Sequence, residues 1–468
     1  MASRNQNIGI WVMGILFLTG IALFNGYPLV TSDTGTYINS AFTFEVPRDR
    51  PIAYSLLISA ASLKFSLWLP VIFQSALLMY LISQLVSHFV DKPMQGQLIQ
   101  AGIIVFVTLF TSAGWYCGMI MPDIFTAIGG LAFLLFILEP DKKKLIFYGL
   151  VLIYAISTHA SHLLIFTLLG VLTFIIDRKQ RKYHPVKYIG ILLISLSGWL
   201  FVPALHRAFG GKFTTNESTH VFLTGRFLET GTLQRYLDNE CKNVPMALCN
   251  YRYELPSNAI GFIWSQESPL YKTNGWDDPN HEYRKMVRKI LLSPKYNLQF
   301  LYASFFHSMT QLVQTDVGDG LTPHIAESNP FWKVQQYFPA ELPTYLGSRQ
   351  NTNRLSFSFP NQIYRWVTII SFLFLLWLLR NGRQSGLTYR DKQAILICIG
   401  FVVLNALVTA TFGNVLARLQ SRVIWLIPMV AAIMWTRYSG HIFSGARLLW
   451  KGDDEEETRK NPQQSGPG

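Results

Sequence analysis

A carboxylate that follows an apolar run without a break stands where a membrane helix would meet water, and Asp33, in Thr31-Ser32-Asp33-Thr34-Gly35-Thr36-Tyr37, holds that position. A general base must accept a proton from an acceptor hydroxyl, and partial desolvation beside lipid is expected to raise a carboxylate towards the useful range. The location suits a base acting on a lipid-linked donor; the structural alternative is an N-cap carboxylate. Arg418 and Arg422, one helical turn apart in NVLARLQSRVIWLIP, offer the complementary charge. A guanidinium pairs bidentately with phosphate and would stabilise the charge developing on a departing polyprenyl phosphate. Otherwise both snorkel to headgroups. Arg48 and Arg50, in VPRDRP, offer the same pairing, with interface anchoring as the alternative.

Asp123, in GMIMPDIF, follows a proline at the start of an apolar run, where an acidic residue complements the helix dipole; as an ionisable group at membrane depth it could instead face the same cavity as Asp33. His159 and His162, in THASH, are three residues apart at a hairpin tip and could share a ligand, although two histidines without a third donor do not make a metal site. Asp277 and Asp278 in GWDDP read as turn residues, as do Asp316 and Asp319 in TDVGDG, the second pair being able to bind a hard cation. No metal or other cofactor is expected. Cys241 and Cys249 flank KNVPMAL and are one candidate bridge. The chain has no Walker loop, dinucleotide fingerprint, G-x-S-x-G elbow or metalloprotease histidine pair, which argues against soluble nucleotide chemistry.

These residues need a scaffold, and the composition says which kind. Of 468 residues, half are hydrophobic and only 14% charged, against about a quarter in soluble domains. The net charge of +13 comes from short Lys and Arg clusters between apolar runs, a topology signal and not a nucleic-acid surface. Runs near the roughly 20 residues that span a bilayer lie at 8–27, 67–90, 98–114, 121–138, 145–158, 161–176, 187–205, 361–380, 393–412 and 423–437. Loops bearing Lys142 to Lys144, Arg178 to Lys182, and Arg380 to Lys392 alternate onto one side, which the positive-inside rule makes cytoplasmic. An all-α polytopic protein of about ten spans is expected, in a bacterial inner membrane with both termini cytoplasmic. Its modules are 1–205 with an outer loop at 28–66, an irregular outer lid at 206–360, a second membrane module at 361–450, and a disordered tail at 451–468. Tyr296 to Gln314 is apolar enough for a further span, but counting it would place Arg380, Arg383 and Arg390 outside. It is expected to pack on the outer segment or lie at the interface.

With Asp33 after the first span, surface helices next, many spans, and Arg418 and Arg422 near the last outer loop, the layout resembles the GT-C superfamily of integral-membrane glycosyltransferases over the whole chain. Stretches such as DRPIAYSLLI, THASHLLIF, GRFLETGTLQRYLDNEC and RLQSRVIWLIP look more closely like a group of bacterial polytopic membrane proteins of unassigned function. The resemblance implies that Asp33 is the acidic base of the first outer loop and that Arg418 and Arg422 bind the lipid phosphate. Protein O-mannosyltransferases carry an adjacent Asp-Glu pair in that loop, whereas Thr34 follows Asp33 here. GWDDP departs from the Trp-Trp-Asp-Tyr-Gly motif of oligosaccharyltransferases, so their metal requirement is not carried over. The expected function is transfer of a sugar from a polyprenyl phosphate to a glycan, lipid or protein acceptor at the outer face. The alternatives are a non-catalytic transporter or flippase of a lipid-linked glycan, and an inactive assembly subunit.

Overall fold

Apolar runs in which no backbone group can bond to water must satisfy their amides internally, and every such run here becomes a helix. The computed structural model describes residues 2–439 apart from Asp91, Lys92, Pro245 and Arg383, so the expected tail at 451–468 lies outside the described residues. Among the described residues, the isolated parallel bridge between Leu29 and Met119 is the one extended pairing. Five helices are long and apolar enough to cross a membrane: Trp68–Ser87, Pro185–Ala208, Ser358–Arg380, Tyr389–Phe412 and Ala417–Ser439. Asp123–Leu138, Lys142–Ser157 and Ala160–Ile176 are shorter, at 16, 16 and 17 residues.

Asp123–Leu138 is buried at every residue and forms the centre of the bundle, packed by Trp68–Ser87, Lys142–Ser157 and Tyr389–Phe412. Its Gly129-Gly130 pair is what lets neighbours close in. A Cβ on Gly129 would meet the Phe166 ring at 2.5 Å, and one on Gly130 the Phe401 ring at 2.5 Å.

The segment expected as one irregular lid is helical and divides in two. Thr219–Glu229, Thr232–Glu240 and Glu282–Leu292 are 11, 9 and 11 residues long, too short to show a sustained period in the sequence. They close over their own core, which includes Val221, Phe227, Leu237, Phe262, Ile290 and Phe300. Cys241 and Cys249 are joined by a disulfide at its edge. Beyond residue 314 the chain leaves this lid. Val317, Leu321, Val334, Phe338 and Tyr345 pack instead into the core of the bundle, making a strap across its Asp33 end. The strap helix Asn329–Tyr337 lies on Thr34–Thr43, where a Cβ on Gly35 would come within 2.7 Å of the Asn329 backbone.

Pro294–Leu312, the ambiguous apolar segment, joins lid to strap. Its buried stripe of Tyr296, Phe300, Ser304, Ser308 and Gln311 starts in the lid core, and the helix packs most extensively against Tyr389–Phe412. Gln311 finishes the contact by bonding both the carbonyl and the amide of Leu416, at 2.8 and 3.0 Å.

Candidate functional site

Asp33 stands at the N-cap position of Thr34–Thr43, yet its carboxylate caps nothing. Thr31 and Thr34 take over the local bonding. The Thr31 amide donates to Thr34 Oγ1 at 2.9 Å, and that hydroxyl donates to the Ile120 carbonyl at 3.1 Å. The preceding stretch is fixed on both sides: Leu29 exchanges backbone bonds with Gly118 and Ile120, while Gln350 accepts from the Val30 amide and donates to its carbonyl, at 3.1 and 2.6 Å. Asn25 in turn accepts from the Gln350 amide at 2.7 Å. The strap therefore holds Asp33 in register without touching its carboxylate.

Released from capping, the carboxylate takes two guanidinium groups. Asp33 Oδ1 accepts from Arg50 and Asp33 Oδ2 from Arg418, each at 3.1 Å, the second partner lying 385 residues away in the chain. Arg50 also pairs with Asp49, at 2.5 Å from Nη2 and 3.1 Å from Nε, and lies over the Tyr37 ring. Asp319 accepts from the Arg418 amide at 3.3 Å, placed there by Gly318 and Gly320, whose φ of +109° and +76° few side chains tolerate. The result is an alternating row, Asp49, Arg50, Asp33, Arg418, Asp319, with Arg50, Asp33 and Arg418 still 12%, 22% and 21% exposed. Burial works to raise the Asp33 carboxyl, but Arg50 and Arg418 outweigh it and hold the pKa at about 2. This is the reverse of the raised value that desolvation alone leads one to expect.

Arg422 and Asp123 form a second, closed tier. Arg422 is wholly buried and pairs with Asp123 at 3.2 Å, while its other terminal nitrogen reaches Ser161 Oγ at 3.3 Å and Asn405 Oδ1 at 3.4 Å. It ties together the starts of Asp123–Leu138 and Ala160–Ile176 and the helix Tyr389–Phe412. Arg418 and Arg422, equivalent in the sequence, thus differ in access: the first is at the opening, the second behind it.

His159 caps Ala160–Ile176, its Nδ1 accepting from the Ser161 amide at 3.2 Å, which leaves the proton on Nε2. It lies within electrostatic reach of Arg422, Arg418, Arg50 and Asp33. His162 faces the other way into the core, donating from Nδ1 to the Ala155 carbonyl and accepting from Thr126 Oγ1, both at 2.7 Å. Arg48 leaves the site altogether, pairing with Asp277 of the lid at 2.6 Å. Asp278 accepts from the amides at the start of Glu282–Leu292, and Asp316 pairs with Arg365. Among the described residues no group of three or more His, Cys, Asp or Glu is arranged to hold a metal ion.

Asp319, read from the sequence as a turn residue able to bind a hard cation with Asp316, instead accepts from the Arg418 amide, and Asp49, Ser161, Asn405 and Gln350 were not singled out from the sequence. Asp49 alone carried a signal there, between the two arginines of VPRDRP. No family model, curated protein or solved structure matches the chain. Fold and site together define an all-helical protein with several helices able to cross a membrane and a partly open carboxylate–guanidinium cluster at one end of the bundle.

Proposed function

We propose that the protein is a GT-C-type glycosyltransferase of a bacterial inner membrane, with about ten spans, both termini cytoplasmic and the Asp33 end facing out. One observation carries this reading: a carboxylate from the first outer loop and a guanidinium from the first turn of the last span meet at 3.1 Å in a partly open site. In the proposed reaction Asp33 accepts the proton of the acceptor hydroxyl as its oxygen attacks the anomeric carbon. The bond from that carbon to the phosphate oxygen breaks, and the polyprenyl phosphate departs with the electron pair, held by Arg50 and Arg418.

The resting geometry adds a condition. While both guanidinium groups face Asp33, the carboxylate is a feeble base. A donor phosphate competes for them, and once they turn to it burial raises Asp33 towards a working value. Donor binding thus prepares the base before the acceptor is committed. His159, with its Nε2 proton, is a further neutral donor for the phosphate, whereas Arg422 braces the wall.

The test is turnover with polyprenyl-phosphate sugars in reconstituted vesicles. Asp33→Asn keeps the shape of the site and is expected to lose activity about a hundred- to ten-thousand-fold while donor binding persists. Full turnover by that variant removes the base. The saturation of Asp33 by two arginines also favours a second reading, a lipid-phosphate-binding transporter or inactive subunit without a base. Donor binding by wild type with no transfer to any acceptor, and unchanged binding or translocation in Asp33→Asn, would decide for it.

A further inference from the structure

Pro294–Leu312 presents two faces of opposite character. The inner one is small and polar over its second half, with Ser304, Ser308 and Gln311 against Tyr389–Phe412. The outer one carries Leu298, Tyr302, Phe305, Phe306, Met309 and Val313, with exposures of 68%, 70%, 55%, 51%, 40% and 69%. These recur at helical spacing as a single stripe, and no Asp, Glu, Lys or Arg interrupts the sequence from Tyr296 to Gln314. A water-facing surface does not concentrate large apolar groups in this way.

Three features indicate what covers the stripe. The helix packs against Tyr389–Phe412, one of the five helices able to cross a membrane, so its outer face adjoins a surface already suited to lipid. An exposed cation, Lys295, stands at its start, and the end of the preceding helix Glu282–Leu292 adds exposed Arg288 and Leu292, a pattern that sets charges among headgroup phosphates and an apolar face among acyl chains. Both ends are also anchored on one side of the bundle. Tyr296 and Phe300 belong to the lid core, and Gln311 is bonded to Leu416; in the topology proposed above, on which this step rests, both lie outside, so the helix does not cross.

We infer that Pro294–Leu312 is an interfacial membrane helix, its Leu298–Val313 stripe buried in the acyl chains of the bilayer and Arg288 and Lys295 at anionic headgroups. The lid then floats on this helix at the membrane surface. Because Leu416 lies two residues before Arg418, the same helix ties the depth of the lid in the bilayer to the rim of the charged site.

The experiment places one nitroxide label at a time, through Tyr302→Cys, Phe306→Cys and Leu298→Cys, on the full-length protein in phosphatidylcholine–phosphatidylglycerol nanodiscs. Lys285→Cys is the water-facing control. The buried Cys117 and Cys398 stay in place, and unmutated protein gives their labelling background. Collision rates with oxygen, which partitions into lipid, are compared with those of a polar nickel chelate. Oxygen access exceeding nickel access at 302 and 306, with the ratio reversed at 285, is the expected result. Nickel access exceeding oxygen at 302 and 306 overturns the proposal in favour of water. Exclusion of both reagents overturns it in favour of a protein partner, such as a second copy of the chain. Leu298 supplies the same reading if either aromatic replacement fails to fold.

Discussion

Asp33 is ionised throughout the physiological range because two guanidinium groups outweigh the burial that opposes its charge. Its folded pKa of about 2 lies below the ordinary carboxylate value of about 4, so these pairs contribute stability above that ordinary value and lose it as pH falls towards 2. The kinetic consequence follows from which state each constant reports. The profile of kcat/KM for donor reports free enzyme and should show no acid limb from Asp33 between pH 5 and 8. The profile of kcat reports the donor complex, in which the arginines face phosphate, and should fall with acid at a higher pH. Coincident profiles would mean that the ion pairs survive donor binding. Arg418 and Arg422 should separate equally clearly. Arg422→Met leaves Asp123 charged and buried, at a cost of about 3–5 kcal/mol, and adding Asp123→Leu should recover most of it. Arg418→Met, at the partly exposed pair, should alter thermal stability far less while abolishing donor binding. Thermal unfolding in detergent and a donor-binding isotherm distinguish the two.

Between strap and surface helix the fit is close enough for one methyl group to matter. Gly35→Ala puts a Cβ against the Asn329 backbone, which has no flexible end to give way. A loss of about 1–3 kcal/mol is expected, with activity falling because Asp33 begins this helix. Thermal unfolding registers the first effect and turnover in reconstituted vesicles the second. In the lid, Cys241→Ser with Cys249→Ser opens an eight-residue loop and should cost about 2–3 kcal/mol of local stability. Limited proteolysis should then cut the 219–300 region faster, while the bundle, whose core is separate, resists as before. Besides Pro294–Leu312, Arg226 ties the lid to the bundle: it pairs with Glu229 and donates to His307 at 2.9 Å and to the Ala410 carbonyl at 2.5 Å.

Across the whole molecule, impermeant maleimide should label single cysteines placed at Glu45 and Lys242 from the same side, and one at Lys142 only after permeabilisation. Any other pattern would overturn the proposed orientation. Hydropathy made the principal apolar helices legible, because a helix facing lipid or core must be apolar along its length. Asp33 and Arg418 were legible because charge directly beside an apolar run stands out. The ranking of Arg418 over Arg422 was not: both are arginines near the start of one helix, and only the folded chain decides that one meets Asp33 at the surface and the other Asp123 inside. Nor was Gln350, an ordinary polar residue whose role is set by the backbone of Val30 at the far end of the chain. The lid helices were missed because elements of 9 to 11 residues, broken by turns, leave little periodicity to count.

That same reach from residue 30 to residues 350 and 418 governs how the protein comes into being. Asp33 leaves the ribosome well ahead of its fixings: the glutamine that pins its neighbour Val30 follows that residue by 320 positions, and Arg418 follows Asp33 by 385. Until then the nascent chain carries Val30 with its amide and carbonyl open and a carboxylate short of one of its two partners, in a form that translocation machinery or a chaperone must tolerate. A product stopped short of residue 350 has every candidate residue of the first loop and no site. It would display the unsatisfied groups by which membrane quality control recognises an unfinished protein.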